Sequence, residues 1–291
     1  MVERRKKTLI NGGIILLAVI CAYIFRLIGR GSFYPTLFAY LRSFIYIGLF
    51  AAWGLSVRRR IVQNQVRRYL TGVSLLLILW FSFRSAKYFI FWQPTAIRYM
   101  WYLFYLPMLF VPMLALLVAM SLGKPDEYRL PKPVWLLFAV SGALLILVLT
   151  NDLHQLVFTF PKDADVYSDT NHGYGACYYA VIGWQVLCAA ASLAVMLFKY
   201  RLKNRKLRFL PVIPLALSLI YLALYYIGTP WQKDLFGDVT AFQSLMYMLC
   251  FEACIACGYI HSNSRYADLF ASSAGTSAQI TDRNFNVQYS A

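Results

Sequence analysis

The feature that most constrains this chain is the alternation of long apolar runs with short basic blocks. Eight stretches are long and apolar enough to approach the roughly 20 residues that span a bilayer. They are Leu9 to Ile28, Tyr34 to Gly54, Leu70 to Trp92, Tyr99 to Leu122, Val134 to Thr150, Ala176 to Phe198, Phe209 to Gly228 and Val239 to His261. Charged residues make up 14% of the chain, against about 25% in a water-soluble domain. The pattern predicts an all-α integral membrane bundle of about eight transmembrane helices. The short alternating segments of a β-barrel are absent. The first run follows Val2-Glu-Arg-Arg-Lys-Lys7, lacks a small-residue cleavage site and is too long for a signal peptide, so it reads as an uncleaved span.

The net charge of +16 does not point to nucleic acid, because the cations sit in blocks between the apolar runs. One side collects Arg4–Lys7, Arg58–Arg60 with Arg67 and Arg68, then Lys124, Arg129 and Lys132, and finally the block Lys199 to Arg208. The other side has only Arg30, Arg98, Lys162 and Lys233, a ratio of roughly four to one. The expectation is a multi-pass protein of the cell membrane with both termini cytoplasmic. All six cysteines lie in or at the ends of apolar runs, where helix packing accounts for them better than disulfides.

Charges inside spans carry a free-energy cost unless paired or hydrated, so they are the functional leads. Arg42 lies in the second span, Arg84 and Lys87 on one face of the third, and Glu252 near the middle of the last. One reading is a cationic cavity in the outer half, lined by Arg42, Arg84 and Lys87 with Glu252 beneath it, suited to a small anionic or polar ligand. The other is a set of internal ion pairs, Glu252 with Arg42 or Arg84 and Asp152 with another cation. Asp152 and His154, where the fifth span emerges, complete the candidate ligand-binding set, and His154 has the chemistry of an external pH sensor. His154 and His172 with Asp163, Asp165 and Asp169 lack tight metal-ligand spacing and read as caps and solvated loop charges. No metal or cofactor is expected. HExxH, GxSxG and P-loop motifs are missing, as is a convincing inverted repeat.

Past His261 the composition turns polar. Residues 262–270 continue as a helix with Tyr266, Leu269 and Phe270 on one face, small residues occupy 271–277, and Ala278–Asp282 and Val287–Ser290 form a hairpin around Arg283–Asn286. A lone hairpin is marginal in water, so it reads as the truncated start of a larger domain. Three domains are expected: a transmembrane region over 1–261, a cytoplasmic linker over 262–277, and the opening of a further domain over 278–291.

Thr150-Asn-Asp-Leu-His154 after a late span, Cys250-Phe-Glu-Ala-Cys254 in the last span and Ser277-Ala-Gln-Ile-Thr-Asp-Arg283 just beyond it carry a resemblance. Together with the many spans, they resemble bacterial sensor histidine kinases with a seven-transmembrane N-terminal region. The final hairpin looks like the start of a PAS-like domain. The first span is then an extra helix before a seven-helix core. The resemblance implies a sensory input module of a two-component system. It would work as a homodimer and relay an extracellular or intramembrane signal through its last helix, with residues 271–277 as the coupling point. Kinase domains beyond this sequence would pass the signal to a cytoplasmic response regulator. A small-solute transporter using the same cavity is the alternative reading.

Overall fold

The computed structural model describes residues 2–31, 33–124, 128, 130–161, 171–199, 209–227, 238–263, 279–282 and 286–290. Asp163, Asp165, Asp169, the basic residues from 201 to 208 and the helix and small-residue stretch expected over 264–277 lie outside them.

The chain forms α1 (Val2–Gly31), α2 (Pro35–Arg60), α3 (Asn64–Ser85), α4 (Pro94–Tyr102), α5 (Tyr105–Ser121), α6 (Val134–Leu149), the single turn α7 (Asn151–His154), α8 (Ala176–Ala194), α9 (Val212–Ile227) and α10 (Val239–Cys257). Helices α3 and α8 each run on through a π-helical turn, Ala86–Ile90 and Val195–Lys199. Among the described residues five spans, Thr36–Arg60, Asn64–Ile90, Pro94–Ser121, Ala176–Phe198 and Val239–Cys257, are long and apolar enough to cross a membrane; Ile15–Gly29, Val134–Leu149 and Val212–Leu224 are shorter apolar helices. Large apolar side chains face outward on these shorter helices, among them Leu16, Leu136, Ile146, Leu219 and Ile220. Water-soluble proteins rarely expose apolar surface this continuously, whereas acyl chains match it.

Helical periodicity selects the core. Ser43, Tyr46, Phe50, Trp53 and Val57 of α2 recur at steps of three and four, as do Val66, Leu70, Val73, Leu77, Trp80 and Arg84 of α3, and both stripes are buried. They meet closely because Gly54 has no side chain: a Cβ there would lie 2.8 Å from Ser74 Cβ. Ser74 spends its hydroxyl on the Phe50 carbonyl, 2.8 Å away, so it adds no unsatisfied donor to the contact. Met113 and Leu117 of α5 and Met248 and Phe251 of α10 close this core.

The residues between the third and fourth apolar runs are mostly helical, since Pro94 starts α4 in the position where its missing N–H costs nothing. The helix breaks at Leu103–Phe104, because Pro107 has no N–H to offer the Leu103 carbonyl four residues back. Pro112 stays within α5.

The connection after α6 carries a two-stranded element that the sequence pattern did not foretell, Phe158–Thr159 against Gly173–Tyr174. Asn151, fully buried, organises it. Its Oδ1 accepts from Val157 and Phe158 N–H at 3.0 and 2.9 Å, and its Nδ2 donates to the Phe158 carbonyl at 2.9 Å. Gln155, in a left-handed conformation with φ 49°, turns the chain back toward it. Near the C-terminus the expected hairpin is present: Gln279–Thr281 pairs antiparallel with Val287–Ser290, with a bulge at Ile280–Thr281.

Candidate functional site

The candidate residues separate into three clusters. The first lies where α10 begins. Asp238 caps that helix, accepting from the Ala241 N–H at 3.2 Å. Its Oδ2 stands 2.7 Å from an Arg84 Nη2 and 3.5 Å from Arg42 Nη2, and the three side chains are 9 to 13% exposed. Neither contact has hydrogen-bond geometry at that oxygen, and Arg42 Nε and Arg84 Nη1 make no hydrogen bond to any described residue. Among the described residues, Arg42 and Arg84 thus share one carboxylate, so these three side chains carry a net positive charge. Beside them a cavity of about 730 Å³ opens between α1, α2 and α10, with Arg26, Arg42, Tyr46 and Asp238 at one end and apolar side chains along the rest.

Arg42 and Arg84 lie together, with Asp238 as their acid in place of Glu252. Glu252 does not lie beneath them. It sits fourteen residues beyond Asp238, about 21 Å along α10 at 1.5 Å per residue. Lys87 is also apart from the Asp238 contacts: its Nζ packs over the Tyr88 and Phe104 rings, at 4.7 and 5.7 Å from their centroids. Asp238 was the residue to find. It is an acid directly before an apolar run, which is a helix-start signal.

Glu252 forms the second cluster, in the last third of α10. Its Oε1 accepts from Trp53 Nε1 at 2.7 Å and Arg60 Nη2 at 2.5 Å, and its Oε2 accepts from Arg60 Nη1 at 3.2 Å. Arg60 ends α2 in the basic block and is long enough to reach up into the helix contact. Just past Glu252, Gly258 takes φ 91°, a conformation that favours glycine, and its N–H donates to Ile255 O while Ile260 N–H returns to Cys254 O. The exit of α10 is thereby laid against the α2–α3 turn. Ser262 bridges Ile61, Val62 N–H donates to His261 O at 3.5 Å, and Asn263 Nδ2 donates to Arg59 O at 3.0 Å. Gln63, in the same turn, donates to Ser121 O and Lys124 O at the end of α5.

Asp152 and His154 make the third cluster, and their polar atoms are engaged internally. Arg98 donates to both Asp152 oxygens, at 3.1 Å from Nε and 2.6 Å from Nη2, and Tyr102 OH adds a bond of 2.8 Å. His154 Nδ1 accepts from Leu156 N–H at 3.0 Å, so its Nε2 carries the proton toward Thr150 Oγ1, 3.3 Å away. Among the described residues no three His, Cys, Asp or Glu side chains gather as metal ligands.

A family model described as the N-terminal 7TM region of histidine kinase matches residues 36–255, which is α2 through most of α10. The chain belongs to this family. No curated protein matches the chain. The 7TM histidine-kinase region is a membrane-embedded sensory input module of two-component signalling, and the apolar helices agree with that placement. Helix α1 precedes the matched residues, so nearly half of the cavity's lining comes from outside the family's region.

Proposed function

We propose that this 7TM region senses a signal at the Asp238 end of α10 and relays it through that helix to kinase domains that follow Ala291. The family match favours this reading over solute transport. The observation that carries the relay is that one helix holds both ends: Asp238 in the cationic cluster and Glu252 in the contact with Arg60, in the last third of the helix that leads to the exit at His261. In this reading both termini are cytoplasmic, in keeping with the basic blocks, and 1–261 is the sensor, 262–277 the linker and 278–291 the opening of a PAS-like domain. The signalling unit is a homodimer whose kinase serves a response regulator, and Arg42 and Arg84 carry the site for a small anionic ligand.

The test uses the complete gene product in membrane vesicles, with radiolabelled ATP and autophosphorylation as readout. Asp238→Asn removes the shared carboxylate charge and is expected to change basal autophosphorylation by at least threefold, while leaving the ATP concentration for half-maximal rate unchanged. A reading frame that carries no kinase domain past Ala291 refutes the relay, as does an Asp238→Asn protein with unaltered autophosphorylation.

A further inference from the structure

The cavity beside Asp238 combines a long apolar wall with one polar end. On α1 its wall runs from Ile15 to Arg26 and on α10 from Asp238 to Leu249. Each wall covers eleven residue steps, about 16 Å, close to one leaflet of a hydrocarbon core about 30 Å thick. Its polar side chains gather at one end and the remainder is apolar, through Val19, Leu245 and Met248 among others. A water-soluble anion would use the head end and leave most of that apolar length unfilled. Access is sideways, because Leu16, Ile20 and Leu249 on its walls are 60, 44 and 40% exposed on a surface that faces acyl chains. At the polar end the Arg42–Asp238–Arg84 cluster holds two guanidinium groups to one carboxylate, and Arg42 Nε is a buried donor without a hydrogen-bonding partner among the described residues. The net positive charge of these three side chains favours an anionic head over a zwitterionic one, which brings no net charge to offset it.

We infer that the cavity binds one anionic lipid of the bilayer, entering between α1 and α10, with its head on Arg42 and an acyl chain along Val19 and Leu245. This deepens the proposed sensing role of the Asp238 end and rests on it for its meaning, but the binding itself does not depend on the relay. The site draws on both α1, which precedes the family match, and α2 and α10 within it.

The experiment measures binding alone, on the purified complete gene product in detergent, by native mass spectrometry and thermal unfolding. The probes are phosphatidylglycerol, phosphatidylcholine and soluble glycerol phosphate. Phosphatidylglycerol is expected to stay bound and raise the unfolding temperature, with phosphatidylcholine and glycerol phosphate at least tenfold weaker. Arg42→Gln is expected to weaken phosphatidylglycerol at least tenfold; it leaves Arg84 and Asp238 as a one-to-one pair, so the fold keeps a neutral cluster. Val19→Trp fills the tail end and is expected to weaken binding similarly with the cationic cluster intact, and it carries the test if Arg42→Gln fails to fold. Equal binding of the two phospholipids overturns the inference. So does glycerol phosphate binding as tightly as phosphatidylglycerol, which marks a free-anion site, or wild-type affinity in both variants. A relay that fails in vesicles while these affinities hold would refute the proposed signalling and leave the lipid site standing.

Discussion

Replacing Glu252 tests how strongly α10 is held to α2. Glu252→Gln keeps the side chain's shape and leaves a carbonyl oxygen for Trp53 Nε1, but removes the charge that faces Arg60. Hydrogen bonds to charged groups contribute about 1.5–3 kcal/mol each. Arg60 and Glu252 are 28 and 27% exposed, so partial screening puts the expected loss near the bottom of that range, about 1.5 kcal/mol. Glu252→Ala also strands the indole N–H of Trp53, a residue only 5% exposed, and an unsatisfied buried donor adds about 1–2 kcal/mol. The alanine variant is therefore expected to lose about 3 kcal/mol and the glutamine variant about half of that. Reversible unfolding in mixed micelles, applied to Glu252→Gln, Arg60→Gln and the double variant, gives the coupling directly. It should be about 1–1.5 kcal/mol, well above the roughly 0.5 kcal/mol within which independent sites add. Additive single variants, or an alanine variant no worse than the glutamine one, would refute the reasoning.

Three further substitutions and one control probe other joints. Asn151→Ala removes the acceptor of two buried N–H groups and should cost about 3 kcal/mol; hydrogen exchange at Val157 and Phe158 should accelerate before the helices do. Gly54→Val forces α2 away from Ser74 and should cost about 1–3 kcal/mol, whereas Gly48→Ala, which meets nothing within 4 Å, should leave stability within about 0.5 kcal/mol in the same assay. Gly258→Val places a branched side chain at φ 91° and should cost at least about 1–2 kcal/mol; a spin label at Ser262 should then report a lengthened distance to Ile61.

The helices were legible because long apolar runs alternate with short basic blocks that mark the gaps. The break before Pro107 was not, since both prolines lie in one apolar run and only the carbonyl each would have met decides where the chain bends. Arg42 and Arg84 stand out as charges in apolar surroundings, while Asp238 adjoins a polar stretch of sequence and reads as part of it. Glu252 was placed by its position in the run. Its true partner, Arg60, looked like a topology marker, and nothing in a linear pattern says that a terminal arginine reaches back. Phe158–Thr159 and Gly173–Tyr174 are too short to show alternation, and their pairing depends on Asn151, a tertiary hub.

Helix α10 and its exit are held against the α2–α3 hairpin at three levels: Asp238, then Glu252 about 21 Å farther along, then the contacts of His261–Asn263 with Arg59, Ile61 and Val62. Mechanically it is a rod with three supports. Sliding it along its axis by one helical turn, about 5.4 Å, must release all three together. Tilting it about the Glu252 contact must release both ends. A displacement confined to the Asp238 end, with the other two contacts kept, breaks the fewest supports.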